Sequence, residues 1–331
     1  MQRRWYKGDT HLHTTNSDGH LTQAQLVERC KSAGLEWIII TDHNFDTLKN
    51  GTYSSDGLTV IRGQEITVEA GHVNVWGVKV PHEPPYDIKT TEDYVSIIND
   101  CNKAGAVTCA NHPFCSNCGF TVDVDALPVK CIEVWNTIQH SDNVKNKDWW
   151  VSRLLKGEHI AAVGGSDFHG DIAFLDMLAM PTTIVNAKSN SAEDILEALV
   201  EGRSVITNKP GASMIYLNVD DAAVGDTVSL GNGLTGTCKV TNLPAFFTLK
   251  IFNNDKLVYS HKAMKKEKEH CAVFSIKEKG FIRAEIDFRL ASPAKKVVGF
   301  AENKYMSARS KKASPTADEL FWAFTNPIWI E

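Results

Sequence analysis

Five short stretches of this 331-residue chain concentrate side chains able to hold a metal ion. HLHTTNSDG (11–19) carries His11, His13 and Asp18. TDHN (41–44) carries His43 and Asn44. GQE (63–65) ends in Glu65, with His72 shortly after. NHP (111–113) supplies His112, and GSDFH (165–169) supplies Asp167 and His169. Imidazole mixed with carboxylate suits manganese, iron or zinc without choosing among them. There are more donors than one tetrahedral ion can use, which implies two or three ions with shared ligands. Closely spaced ions clamp the attacking and leaving oxygens of a displacement and lower the pKa of a bridging water. The chemistry expected is hydrolysis by hydroxide bridging two or three divalent ions.

Taken singly, each residue has a plainer reading. SDG (17–19) is an ordinary turn, GGSD (164–167) could be an anion-binding nest, and a lone histidine at a strand end is usually a hydrogen-bonded loop residue. His20, His82, His159, His261 and His270 are read that way. The joint pattern decides for the others, and it depends on the elements that carry them.

Up to about residue 205 apolar strands alternate with amphipathic helices. Strands are expected at 5–12, 37–43, 58–68, 106–112, 131–136, 160–167 and 181–185, with 72–78 as a hairpin return after the third. Helices are expected at 21–34, 91–105, around 143–157 and 191–202. Thr91 and Ser191 stand as N-caps, and Gly34, Gly105 and Gly202 as C-terminal stops. Strands apolar on both faces, alternating with helices, indicate a covered parallel sheet. Seven units suggest an α/β fold closed as a distorted (β/α)7 barrel, short of the eight-unit form. The ligand-type residues fall at strand C-termini, which such a fold gathers on one face. His11 and His13 end the first strand, and side-chain alternation points both the same way. His43, Glu65, His112, Asn136 and Asp167 end later strands, and His140 follows Asn136 by four. Arg62, three before Glu65, should point outward as a structural ion pair.

After TNKPG (207–211) no long helix pattern follows. Short strand candidates recur at the spacing of an all-β sandwich. Domains are expected at 1–208 and 209–331. KAMKKEKE (262–269) is read as a solvated hairpin tip, and Trp322, Phe324 and Trp329 as packing residues before a carbohydrate or partner surface is considered.

The formal charge of −5 offers no basic footprint for nucleic acid. No apolar run of membrane-spanning length and no signal-peptide core appears. Eight scattered cysteines suit reduced thiols in a cytoplasm. Cys115 and Cys118 form a lone CxxC that cannot complete a four-thiolate zinc site.

The five motifs, in this order over residues 5–207, resemble those of the PHP (polymerase and histidinol phosphatase) superfamily. The resemblance implies a distorted (β/α)7 TIM-like barrel with two or three metal ions at the strand C-termini. It places His11, His13, Glu65 and Asp167 on one ion. Glu65 would bridge to a second ion held also by His112, and Asp18, His43 and His169 would hold a third. The histidine often found after strand five is replaced here by Asn136, so His72 or His140 would substitute, His72 being favoured. GHVNVWG, IEVWN, GGSDFH and GRSVIT, with the C-terminal FTNPIWI, are similar to a narrower carbaryl-hydrolase-like branch.

The expected function is a metal-dependent phosphoesterase acting on a small-molecule, phosphorylated ester. Asp167, His72 and His140 are its candidate catalytic residues, and Asn44 and Asn136 its candidate substrate contacts. Hydrolysis of a carboxyl ester, carbamate or amide by the same centre is the alternative, since no phosphate-clamping arginine is evident. A metal-holding scaffold with a β-sandwich binding module is the third reading.

Overall fold

The computed structural model describes residues 2–138, 140–171, 176–231, 233–290, 296 and 319–331. The first part of the chain forms β1 (Arg4–Leu12), α1 (Gln23–Ser32), β2 (Trp37–Ile40), β3 (Tyr53–Ser55), β4 (Leu58–Val68) and β5 (Gly71–Trp76). There follow α2 (Thr91–Lys103), β6 (Val107–Ala110), β7 (Cys131–Asn136), α3 (His140–Leu155), β8 (Ala161–Gly165), β9 (Thr182–Ala187), α4 (Ala192–Val200) and β10 (Ser204–Thr207).

Strand β2 shows why these segments form a covered sheet. All four residues of WIII are buried, yet they alternate between two cores. Ile38 and Ile40 pack with Leu26, Val27 and Cys30 of α1, while Trp37 and Ile39 join Ile61, Trp76 and Val163 on the other face. Period-two alternation with apolar residues at every position is what a strand buried on both faces requires. Each such side chain contributes roughly 1.5–3 kcal/mol of burial. The helix starts are equally local. Thr22 with Gln25 and Thr90 with Asp93 form capping boxes, and Ser191 caps α4. The second cap is Thr90, one residue before the threonine expected, because Thr90 has the extended backbone a cap needs.

The sheet curls in the order β9-β1-β2-β4-β5-β6-β7-β8. Strands β1, β2 and β4 are mutually parallel, β5 is reversed, and β6, β7 and β8 run parallel to one another. Two antiparallel steps through β5 return β6 to the direction of β4, so six strands end on one face. At the seam a single parallel bridge, Leu12–Phe168, and the Thr10 Oγ1 to Gly164 O bond (3.1 Å) join β1 to β8. A strict seven-unit alternation is not what is seen. β4 and β5 form a hairpin, β9 is antiparallel to β1, and the described residues hold four α-helices.

The remaining strands are β11 (Met214–Val219), β12 (Ala222–Ala223), β13 (Thr227–Val228), β14 (Leu234–Leu243) and β15 (Thr248–Asn253). They continue with β16 (Lys256–Lys262), β17 (Glu267–Ile276), β18 (Gly280–Arg289), β19 (Glu319–Thr325) and β20 (Ile328–Ile330). The large sheet passes without a break from β10 into β19 and on to β18. A second sheet of four strands, β12-β11-β14-β17, shares one apolar cluster with β15 and β18. KAMKKEKE links β16 in the first of these sheets to β17 in the second, so it is an arch between sheets where a hairpin tip was expected. Phe324 and Trp329 are buried: Phe324 lies 6.0 Å from Trp150 of α3, and Trp329 stacks on His159 at 3.7 Å. Trp322 is half-buried and donates to Ser213 Oγ at 2.8 Å. Among the described residues no helix is long and apolar enough to cross a membrane.

Candidate metal centre

The shared strand direction delivers the ligand-type residues to one place. His11 is the penultimate residue of β1, and His13 lies just beyond its end. His43 follows β2, Glu65 lies late in β4, and His112, Asp167 and His169 follow β6 and β8. His72 belongs to β5, which is reversed, so its start lies beside the ends of its neighbours. It pairs with Thr67 across the β4–β5 hairpin.

Glu65 is at the centre. Its Oε1 is 3.4 Å from His11 Nε2, 3.2 Å from His72 Nδ1 and 3.6 Å from His112 Nε2. Its Oε2 is 2.6 Å from His43 Nδ1 and 3.6 Å from His13 Nε2. Asp167 Oδ1 lies 3.4 Å from His11 Nε2, 3.1 Å from His13 Nε2 and 3.5 Å from His169 Nδ1. Asp18 Oδ1 lies 3.0 Å from His169 Nε2 and 3.6 Å from His43 Nε2. Three donor groups result: His11, His13 and Glu65; His13, Asp18, His43 and His169; and His72, His112 and Cys118.

Five buried atoms of this cluster make no contact of hydrogen-bond geometry, close as imidazole and carboxylate stand: His11 Nε2, His13 Nε2, Glu65 Oε2, His72 Nδ1 and Asp167 Oδ1. Unpaired buried polar atoms are costly, and a convergent set of imidazole and carboxylate donors is satisfied by metal cations. The residues therefore fit the divalent ions expected of them. Burial alone would raise the Asp167 carboxyl, yet His11, His169 and His13 hold it well below the usual range. Glu65 is likewise lowered against its burial by His11, His72 and His112. The His169 hydrogen bond brings Asp18 down to about 2.

A layer of buried acids fixes these ligands. Glu133 on β7 accepts from His11 Nδ1 (2.9 Å), from the His112 backbone N–H (3.0 Å) and from Asn136 Nδ2 (3.1 Å). The first bond turns Nε2 of His11 toward Glu65 and Asp167. Asp42 accepts from Thr14 N and Oγ1 (2.7 Å each), from Ser17 Oγ (2.6 Å) and from Thr47, and so shapes the loop that carries His13 and Asp18. Asp9 accepts from Ser166 N (3.0 Å) and Oγ (2.5 Å), tying β1 to the Asp167 loop. His112 and Asp167 hold left-handed backbones, at φ 30° and 49°. Such conformations persist only where the surroundings over-determine them.

Other expected residues are placed differently. Asn44 spends its amide on the Thr67 backbone, donating to its carbonyl and accepting from its N–H at 2.8 Å each, so it holds the β4 end and is not free for substrate. Asn136 is buried behind Glu133, with Oδ1 unpartnered. His140 is the first residue of α3, and its side chain lies outside the described residues. Arg62 faces outward and pairs with Asp46. Glu133 was not singled out from the sequence, and Cys118 was read there only as half of a CxxC unable to complete a four-thiolate zinc site. The acid in apolar CIEVWN was the available signal for Glu133. Cys118 Sγ comes within 3.6 Å of His112 Nδ1 and 3.0 Å of Cys115 Sγ, because the loop after β6 folds back over the site.

No protein-family model matches the chain, and no curated protein does. Nine chains of solved structures match. A two-domain protein from Bacteroides vulgatus, containing a predicted PHP-like metal-dependent phosphoesterase, superposes with a TM-score of 0.51 at 21% identity, covering 86% of this chain and 90% of its own. The chain has the fold of that protein. A proposed metal-dependent phosphoesterase from Bifidobacterium adolescentis gives a TM-score of 0.35 at 18% identity, over 49% of this chain and 87% of its own. An amidohydrolase from Chromobacterium violaceum, solved with sulfate and no metal, gives 0.34 at 16% identity, again over 49% and 87%.

Proposed function

We propose that this chain is a metal-dependent phosphoesterase of PHP type, in which residues 1–208 form a distorted barrel carrying the reaction and residues 209–331 an accessory β-sandwich. The observation that carries this is the convergence of five donor atoms that lack hydrogen-bond geometry, from His11, His13, Glu65, His72 and Asp167, on one buried centre. His11, His13, Glu65 and Asp167 would hold one ion. Glu65, His72 and His112 would hold a second, with Cys118 in reach. Asp18, His43 and His169 would hold a third. Manganese, iron or zinc all suit these donors, and when bound they supply Lewis acidity and a water of lowered pKa.

The chain's own work is positioning. Glu133 keeps His11 turned inward, and Asp42 keeps the loop of His13 and Asp18 in place. The His72 side chain is 14% exposed at the rim, where it could bind a substrate oxygen or hold a proton for the leaving group. His140, at the start of α3, is a second such helper. A carboxyl ester, carbamate or amide remains the second reading, favoured by the engagement of Arg62 with Asp46, which takes that arginine away from phosphate. The narrower carbaryl-hydrolase-like likeness rests on sequence stretches alone; none of the three solved neighbours is so described.

The test is hydrolysis by manganese-, iron- or zinc-loaded protein of a phosphate monoester, a phosphate diester and an aryl carbamate, with Asp167→Ala as control. Phosphate release lost in the variant supports the phosphoesterase. Carbamate turnover alone moves the protein to the second reading.

A further inference from the structure

A second cluster of side chains able to ligate a metal lies on other strands, β16 and β17. His261 on β16 and His270 on β17 were expected to be ordinary surface histidines. Their rings stack at 3.8 Å and 11°. Both face one carboxylate. His261 Nε2 is 3.0 Å from Glu267 Oε1, and His270 Nδ1 is 3.2 Å from Glu267 Oε2. One donor atom from each of the three residues lies within 4.8 Å of the others.

We propose that His261, Glu267 and His270 form a separate site for a zinc-class divalent cation, which clips an edge strand of one β-sheet to an edge strand of the other. The donor spacing suits such an ion. Tetrahedral coordination at about 2.0–2.1 Å sets neighbouring donors roughly 3.3 Å apart. To the single oxygen Glu267 Oε2, His261 Nε2 and His270 Nδ1 each stand 3.2 Å away, close to that spacing. Two imidazoles and a carboxylate are borderline donors, which suits zinc and its neighbours better than calcium or magnesium. The outer shell is in place as well. His270 Nε2 is 2.9 Å from the hydroxyl of Tyr259, two residues before His261 on the same strand. Ligating histidines are usually held in this way through their second nitrogen. The three side chains are 29%, 21% and 16% exposed, so solvent can supply the remaining ligand.

The topology gives the site a purpose. Among the described residues β16 pairs only with β15, and β17 only with β14 of the four-stranded sheet. Among those residues no ladder joins β16 to β17, so each presents an edge to the other. The arch 263–266 is the covalent link between them. An ion bound by His261 from one edge and by Glu267 and His270 from the other would fasten the sheets together. It would also hold the arch, whose adjacent Lys265 and Lys266 would otherwise repel one another. This site does not depend on the function proposed for the barrel.

The test uses the full chain, stripped with a chelator and dialysed against a fixed free zinc concentration. Wild type, His270→Gln, Glu267→Gln and Asp167→Ala are compared for bound zinc, with circular dichroism as the check on folding. Folded His270→Gln and Glu267→Gln should each hold one equivalent fewer than wild type. Asp167→Ala should lose barrel zinc and keep this one. Equal zinc in wild type and both β-strand variants would overturn the proposal. Hydrogen exchange on wild type gives an answer that does not depend on the variants folding. Zinc should slow exchange in peptides spanning 256–276, and exchange there that zinc leaves unchanged would overturn the clip.

Discussion

Glu133 Oε1 lies 2.9 Å from His11 Nδ1, across the curled sheet from β7 to β1. The contact decides which nitrogen of His11 is available to a metal. Replacing the carboxylate keeps the shape but removes the charge that orients and polarises the ring. Glu133→Gln should weaken metal binding by about 10- to 100-fold with the fold intact. A metal titration followed by circular dichroism checks this, and wild-type affinity in the variant would show that His11 is oriented by something else.

Gly165 lies between the same two residues. A Cβ placed there would meet Glu133 Oε1 at 2.4 Å and His11 Cβ at 2.5 Å. Neither neighbour can retreat, since both are fully or almost fully buried. Gly165→Ala should cost about 1–3 kcal/mol of stability and reduce metal content together with it. Urea unfolding measures the first and metal analysis the second. A variant with unchanged metal content would mean that β1 and β8 approach less closely than described.

The convergence of the candidate ligands was legible in the residues because it rests on two local rules. Strand C-termini gather on one face, and HxH at a strand end aims two rings the same way. What was not legible depends on contacts between distant segments. Glu133 acquires its role only because the curl brings β7 opposite β1. Cys118 reaches His112 only because the loop after β6 folds back. Asn44 looked free because nothing local announces its two bonds to Thr67. The linkage at 262–269 looked like a hairpin because alternation identifies strands but not which sheet each one joins.

The contact between α3 and the strands after residue 280 includes a buried ionic group. Glu285 accepts from Arg283 at 2.8 Å and from Lys147 at 3.1 Å. Burial alone would raise its carboxyl, but the two cations bring it down from 4.5 to about 2. A depressed carboxylate stabilises the fold fully above its unfolded pKa and loses that contribution as pH falls through the folded value. Wild type should therefore lose stability between about pH 4.5 and 2 through this group. Glu285→Gln should be about 3 kcal/mol less stable at neutral pH and show a shallower acid slope. Urea midpoints at a series of pH values test it, and parallel slopes would remove Glu285 from the account.

Phe324 anchors the last long strand to β7 and α3, 6.3 Å from Trp135 and 6.0 Å from Trp150. Phe324→Ala should cost about 3–5 kcal/mol, as for other fully buried aromatics. Thermal unfolding would read this. A loss below 1 kcal/mol would mean that the contact closes around the cavity or contributes little.

What matters most is whether the atoms of His11, His13, Glu65, His72 and Asp167 that lack hydrogen-bond geometry are metal donors. Anomalous diffraction from crystals of the full chain grown with manganese tests it most directly. At least two peaks are expected, each within coordinating distance of Glu65 or Asp167 and of the histidines beside them. A well-ordered site with no anomalous peak at saturating manganese, iron or zinc would contradict it.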